Sequence, residues 1–546
     1  MSEVLTVLFS WLLAILTWSP IGLWILQKLD AGLNDRPVHH FILATILGAA
    51  VNSGILGMLS FRFPITVHIT VVLMLINVVL FSRIYRKAFM SVVSAIGSWP
   101  IAGMLGFAVF AAVAVLCSLH TSLNNDSGLY YIQFMKWINS YPVVPGLANL
   151  HDRLGFNSHW HLLNAAFNAN NLGVNTNDLN GLLFLLIGLG CFDSASRLAK
   201  EPTIYDAVWA LFPLPFFLLL RFLTSTAPDL PSTLIPLVYF SLLVLAKDRT
   251  SLPIIGALIA FAATIKVLSI LHIIAISPLL FWVIKRKDWK SVGFAAALSL
   301  LIVGPWLGRN VVQTGYLVFP MESIDLISVD WKVPNELAGN ARKMVDTHAR
   351  MGTYDLSDYG KPTSEWIGFW LGVQSKSVLA LLAAVGFGSL LLLLFGCFQC
   401  VKKKETDAGL LNIFLGLTVV LSFAFWWNSG PNPRFVYGVV FFFFAYLPAL
   451  VVSNLNLARW LRFAPLVALL PLLAITRTVL KEPGPKKPTE FSSFDVVGRT
   501  IYYPTTTDKC WEHELPCTTE ERHDVQFRTK DQGDGFKHAE LNSPTQ

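Results

Sequence analysis

The sequence predicts an all-α, polytopic integral membrane protein with about fourteen transmembrane helices. Three observations carry that expectation. Charged residues make up 14% of the 546-residue chain, against roughly 25% in soluble domains. Hydrophobic residues make up 54%, and the mean hydropathy is +0.57. Mostly apolar runs of about 18 residues or more recur from end to end, and a bilayer core takes about 20 residues per helix.

Candidate spans fall near 4–27, 40–60, 65–83 and 100–119. No basic stretch precedes the first and no small-residue cleavage site follows it, so it reads as a span rather than a cleavable signal. A long polar stretch, 120–180, comes next. Six candidates follow near 180–197, 204–221, 231–246, 251–265, 268–284 and 291–308. The 251–265 and 268–284 pair is short. A second polar stretch covers 309–375, before candidates near 376–399, 409–427, 435–452 and 461–477. The segment KEPGPKKP (481–488) stops the last helix and reads as a hinge. The tail after it is too short for a substantial core without a staple. Its last twenty or so residues are polar and are expected to be disordered. The chain thus divides into 1–99, 100–477 and a tail, 478–546. No internal repeat suggests a transporter built from inverted halves.

Charge gives an orientation. One set of loops carries Lys28, Arg36, Arg83, Arg86, Lys87, Arg197, Lys200, Lys247 and Arg249. It continues with Lys285, Arg286, Lys287, Lys290, Lys402, Lys403, Lys404, Arg459 and Arg462, making 18 basic residues. Short loops on the other side hold four: Arg62, Arg221, Lys266 and Arg434. The positive-inside rule places the first set in the cytoplasm. The 120–180 and 309–375 stretches, the tail and both termini are then expected outside. The formal charge of +7 is spread over short loops, which argues against a nucleic-acid partner.

Cys117 and Cys191 fall in spans and read as packing residues. Cys397 and Cys400 form a lone CxxC, weak evidence for a metal without a second ligand pair. Neither a metal nor a cofactor is expected. Cys510 and Cys517, separated by six residues in the tail, are expected to form a disulfide in an oxidising compartment.

The polar stretches hold the candidate chemistry. Asp126 follows the 100–119 span in NNDSG. It or Ser127 caps the next helix, or it is a carboxylate able to take a proton from a hydroxyl. That helix carries Tyr130, Phe134, Trp137 and Tyr141 on one side, suited to a membrane interface. Asp152 and Arg153 are adjacent and do not form an obvious pair. His159 and His161 are two apart, which suits a strand or loop, and they are candidates for contacts to substrate or lipid headgroups. Lys266, between two short apolar runs, snorkels to the surface or faces a lipid phosphate. Arg309 and Asn310 lead into the second stretch, followed by an exposed Tyr316. Arg434 sits in a rigid PNP turn, and arginine is well shaped for phosphate. The bland alternative for Arg309 and Arg434 is an interfacial anchor. Asp193 and Arg197 are spaced for a structural i,i+4 pair.

In this order the pieces resemble the GT-C superfamily of membrane glycosyltransferases. Asp126 looks like that superfamily's acidic residue in the first large outer loop. Arg309 and Asn310, in PWLGRN, and Arg434, in NPRFVYG, resemble its later segments. Lys266 resembles a lysine many members carry between two middle spans. DSGLYYIQFMKWI, VVPGLANLHDRLGFNS and the CW…PC tail are also similar to a family of uncharacterised bacterial polytopic membrane proteins.

The resemblance implies a transferase at the outer face of the bacterial inner membrane. A polyprenyl-phosphate-linked sugar donor would enter from the lipid, with its phosphate held by Lys266, Arg309 and Arg434. Asp126 would be the base for an envelope glycan, lipid or protein acceptor. The alternatives are a polytopic transporter or flippase, or a non-enzymatic envelope assembly protein.

Overall fold

The computed structural model describes residues 3–29, 33–167, 178–245, 251–403, 406–454 and 457–539. Among these the chain is helical, apart from a short β-rich tail. Among the described residues ten helices are long and apolar enough to cross a membrane, or eleven if one bent pair counts as a span. Three further apolar helices, Asp229–Leu245, Leu252–Ile265 and Tyr437–Val452, are shorter. The protein is therefore an all-α polytopic membrane protein. Lys247, Arg249 and Lys404, which contribute to the charge bias, lie outside the described residues, as do residues 540–546 of the tail.

The bundle has a buried centre and a lipid-facing rim. Pro37–Leu59 is apolar on all sides and buried along most of its length, as a helix enclosed by other helices must be. It meets Glu3–Lys28 at two reciprocal glycines. A Cβ on Gly22 would lie 1.8 Å from the Ala44 carbonyl oxygen, and one on Gly48 would lie 1.8 Å from that of Trp18. Missing side chains let the two backbones touch, the usual device for packing helices in lipid.

Val67–Gly97 lies at the rim and buries only Thr70, Asn77 and Val92. It outruns the expected span. Its 31 residues make a rod of about 46 Å against a hydrocarbon core of about 30 Å. Arg83, Arg86 and Lys87 are consequently helical residues rather than loop residues.

Two other spans depart from a straight α-helix, one by a break and one by a change of pitch. Where 204–221 was expected to run straight, the chain forms Ile204–Leu211 and Phe216–Leu223, bent by 51°. Pro213 and Pro215 fall in the break; proline lacks the N–H and clashes with the preceding turn. The other is Val267–Ile276, a 3₁₀ helix running into Ser277–Lys285. Three residues per turn place Val267, Ile270 and Ile273 on one edge. That edge is exposed, while Ser269, His272 and Ala275 on another edge are buried. The pitch itself creates an apolar outer stripe.

The expected 120–180 loop is folded instead. A π-turn, Ser127–Tyr131, leads into Ile132–Ser140; Leu147–Leu150, a 3₁₀ turn at Asp152–Gly155 and His159–Phe167 follow. Residues 168–177 lie outside the described residues. Tyr130, Phe134 and Trp137 pack inward rather than along a membrane interface. The second stretch carries helices Asn335–Met351 and Thr363–Val373. Tyr316 is buried, not exposed, and its hydroxyl donates to the Val333 carbonyl at 2.9 Å. Asp193 and Arg197 do not pair either. Asp193 accepts from Trp99 Nε1 at 3.0 Å, and Arg197 reaches Asp35 at 3.3 Å.

The tail is docked rather than loose. Strands Phe491–Val496 and Arg499–Pro504 pair antiparallel through a two-residue turn. Val497 and Gly498 both have positive φ there, the requirement of a type I′ hairpin. A second antiparallel pair, Val525–Phe527 with Phe536–His538, occupies part of the segment expected to be disordered. Its Phe527 and Phe536 are buried, which gives that polar segment an anchor its composition hides. Cys510 and Cys517 form the expected disulfide. The Trp511 N–H donates to the Gly128 carbonyl at 3.0 Å, and the Phe536 N–H to that of Pro145 at 2.9 Å. Thr518 Oγ1 donates to the Leu150 carbonyl at 3.0 Å. Arg528 pairs with Asp330 at 2.9 Å.

Candidate functional site

A cavity of about 340 Å³ opens where four chain breaks converge. Each break follows from local sequence. Asp126 sits in the first turn of the helix that follows the irregular residues 121–124, with φ −62° and ψ −21°, where its N–H is held by Asn124 Oδ1 at 3.0 Å. Ser122 and Ser127 share a hydroxyl hydrogen bond of 2.7 Å across the same turn. Asp229 opens the helix Asp229–Leu245, directly after Pro228. Lys266 is the extended residue between Leu252–Ile265 and Val267–Ile276, with φ −147° and ψ 116°. Arg434 lies in the Pro433–Phe435 turn, whose backbone is capped by Asn432 Oδ1.

The four side chains form one chain of charge. Lys266 Nζ hydrogen-bonds Asp229 Oδ1. Arg434 Nε lies 3.8 Å from the same Asp229 oxygen, and Arg434 Nη1 lies 3.6 Å from Asp126 Oδ2. Tyr131 donates its hydroxyl to Asp126 at 3.5 Å. The Phe435 ring sits below both cations, 4.4 Å from Lys266 Nζ and 5.4 Å from the Arg434 guanidinium carbon. Burial opposes the charge on Arg434, but Asp229 and Asp126 outweigh it and hold its pKa above the usual arginine value.

His161 also faces the cavity. It is buried against Tyr131 and Phe134, with ring centroids 4.7 and 5.6 Å away. Among the described residues neither ring nitrogen has a hydrogen-bond partner. Burial, opposed by Asp229, holds its pKa down at about 3, so it is neutral at physiological pH.

The other expected residues divide. Asn310 lines the cavity, but Arg309, one residue away, does not. Successive helical residues point about 100° apart. Arg309 Nη1 donates to Ser60 Oγ at 2.7 Å and Nε to Asn157 Oδ1 at 3.3 Å. Asn157 does line the cavity and donates to Asn310 Oδ1 at 2.9 Å. The expected grouping of Arg309 with Lys266 and Arg434 around one phosphate is therefore not formed; Arg309 braces Asn157 from behind. His159 is likewise outside the cavity, hydrogen-bonded through Nδ1 to Ser53 Oγ at 3.1 Å. The histidine pair begins the helix His159–Phe167, not a strand or loop, so residues two apart point to opposite sides.

Asp229 is the residue sequence reasoning missed. A carboxylate opening an apolar helix was the available signal. Its partner Lys266 is 37 residues away, a separation that hides the pair. Among the described residues, no group of three or more His, Cys, Asp or Glu side chains is placed to hold a metal ion.

Fold and cavity together define a multi-pass, all-helical membrane protein with a charged pocket beside an apolar, outward-facing helix edge. The chain belongs to the family described as Domain of unknown function (DUF8201), whose family model matches residues 4–441. That segment contains all four charged residues and stops short of the tail. No curated protein and no solved structure matches the chain.

Proposed function

We propose that the protein is a GT-C-like glycosyltransferase that moves a sugar from a polyprenyl-phosphate donor to an envelope acceptor, on the outer face of a bacterial inner membrane. The observation that carries this reading is the Asp126–Arg434–Asp229–Lys266 cluster at the inner end of an apolar approach. Ile265, Val267, Leu268 and Phe435 line that approach. Val267, Ile270 and Ile273 continue it to the rim, where a lipid tail would lie.

Charge favours an anionic ligand in the cavity. Arg153, Lys266 and Arg434 line it against Asp126 and Asp229, and Arg342 lines it while paired with Glu322 at 2.9 Å. A donor phosphate would sit between Lys266 and Arg434. Asp126 would take the proton of an acceptor hydroxyl as its oxygen bonds the anomeric carbon. The bond from that carbon to the phosphate oxygen breaks with its electron pair. The charge left on the phosphate is then stabilised by the two fixed cations. Asp229 keeps them balanced until phosphate arrives. A flippase would need the cations but has no use for a base beside them.

The reading includes fourteen crossings with both ends outside. Residues 126, 229, 266 and 434 meet at one level, so the chain between successive members must cross the membrane an even number of times. Fourteen crossings satisfy this, with the three shorter helices and the bent pair each crossing once.

The test is a deletion strain with a matching purified assay. A polyprenyl-phosphate-linked sugar should accumulate in the strain. Purified protein should release polyprenyl phosphate and form a glycosidic bond. Donor that reaches the other leaflet unconsumed would replace this reading with a flippase.

A further inference from the structure

A second cleft, about 900 Å³, opens beside the charged cavity. Its floor is the turn around Asp152, one wall is the helix Asn335–Met351, and the other is tail residues 519–524. Arg153 and Tyr354 line both spaces. Arg153 lies 5.8 Å from the Tyr354 ring, which stacks on His348 with centroids 4.5 Å apart. These residues are a shared threshold between cleft and cavity.

The cleft has the opposite electrostatic character to the cavity. Asp152, Asp508, Glu520, Glu521 and Asp524 line it, against Arg153, Arg522 and His523, with Lys509 Nζ on Asp508 Oδ1 at 2.5 Å. Arg522 is taken up by Asp524, with Nε 2.9 Å from Oδ1. His151 does not offset the rest, because burial above all holds its pKa down at about 4. The whole chain carries +7, so an acidic cleft is not inherited from composition. The tail wall is fixed in place by the Thr518–Leu150 bond and by Arg522 Nη1, which donates to the Leu150 carbonyl at 3.4 Å.

We propose that this cleft binds the acceptor, and that the acceptor is an oligosaccharide that is uncharged or carries amines. This rests on the transferase reading. Tyr354 is half exposed and offers a ring face on which a sugar stacks. Carboxylates and Asn340 accept hydroxyl and ammonium hydrogens at several points along the cleft. An anionic polymer would meet the like charge of Glu520 and Glu521, which no lysine or arginine among the described residues pairs, and specificity uses such repulsion to reject wrong partners. The space exceeds that of the cavity, so it suits several sugar units with one end at the threshold.

Binding is measured on full-length protein in nanodiscs with no donor present. The probes are fluorescent hexasaccharides: chitosan (cationic), N-acetylchitohexaose (neutral) and hexagalacturonate (anionic). The chitosan and N-acetyl probes should bind and hexagalacturonate should not. The variant with Asp508→Asn, Glu520→Gln and Glu521→Gln should weaken the chitosan probe about tenfold, the scale of a few exposed charge contacts. Equal or tighter binding of hexagalacturonate overturns the proposal, as does an unchanged chitosan affinity in the triple variant. So does a lysine-rich peptide that binds when no hexasaccharide does. Donor hydrolysis is assayed separately, so failure of the transferase reading is distinguishable from failure of the cleft.

Discussion

Asp126 makes no capping hydrogen bond at the turn it precedes; its carboxylate faces Arg434 and Tyr131. The capping reading needs that bond, and the basic reading needs the carboxylate free of it. Asp126→Asn keeps the side chain's size and removes the base. General-base catalysis is worth about 10²–10⁴ in rate. The variant should therefore express and insert normally yet lose transfer by that factor; full complementation by Asp126→Asn would sink the base assignment. Asp229 belongs to a different argument, because it is almost fully buried between two cations. Asp229→Asn should lower stability by about 2 kcal/mol. That is below the 3–5 kcal/mol of a fully buried broken pair, because a fifth of the Lys266 side chain is exposed. A melt in detergent should show the loss, and Asp229→Leu with Lys266→Met should recover most of it without recovering activity. At this scale the sequence pointed to Asp126, Lys266, Asn310 and Arg434, and all four line one cavity. It misplaced Arg309 and His159, because which side of a helix a residue faces depends on where that helix starts. It missed Asp229, because a carboxylate opening an apolar helix gives no hint of a partner 37 residues away.

Apolar runs were legible as elements because a bilayer fixes their length. Their breaks were less so: Pro213 and Pro215 were visible, but hydropathy averages over them. The folded 120–180 stretch was misread for a related reason. Its aromatic face pairs not with a membrane interface but with a tail nearly 400 residues away. There Gln133 Nε2 donates to the Trp511 and His513 carbonyls, both at 2.9 Å. The disulfide loop thus grips the π-turn that follows Asp126. A Cβ on Gly128 would come 2.4 Å from the Trp511 ring, so Gly128→Ala must push the loop away. A closed loop this small contributes about 2.5 kcal/mol of chain-entropy stabilisation to the tail. Replacing Cys510 and Cys517 by serine should therefore make the tail sensitive to limited proteolysis at Lys509 while the helical bundle stays intact. Gly128→Ala should produce the same cleavage with the disulfide still formed. Resistance of both variants would show that the tail is held by its other contacts alone.

For the whole molecule, charge and contacts constrain sidedness independently. The 18-to-4 bias of basic residues predicts which loops face the cytoplasm. Arg83, Arg86 and Lys87 remain compatible with that prediction on their long helix, Val67–Gly97. They fall about 24–30 Å along from Val67, at the far edge of a hydrocarbon core of about 30 Å. The tail adds a constraint that no hydropathy window contains. It touches Gly128, Leu150 and Asp330 together, so those loops and the tail must share one side of the membrane. Reporter fusions at Asp152, Asn340 and after Pro488 should therefore agree with one another, and fusions at Lys287 and Lys403 should report the opposite side. The charge bias predicts that the first three are outside. A split between Asp152 and Asn340 would mean that Asp229–Leu245, Leu252–Ile265 or the bent pair Ile204–Leu211 and Phe216–Leu223 does not cross. The meeting of Lys266 with Asp126 would then fail as well. If all five fusions report reversed sides, the fold survives and the charge rule fails. Asp126 would then face the cytoplasm, and its acceptor would have to be sought there.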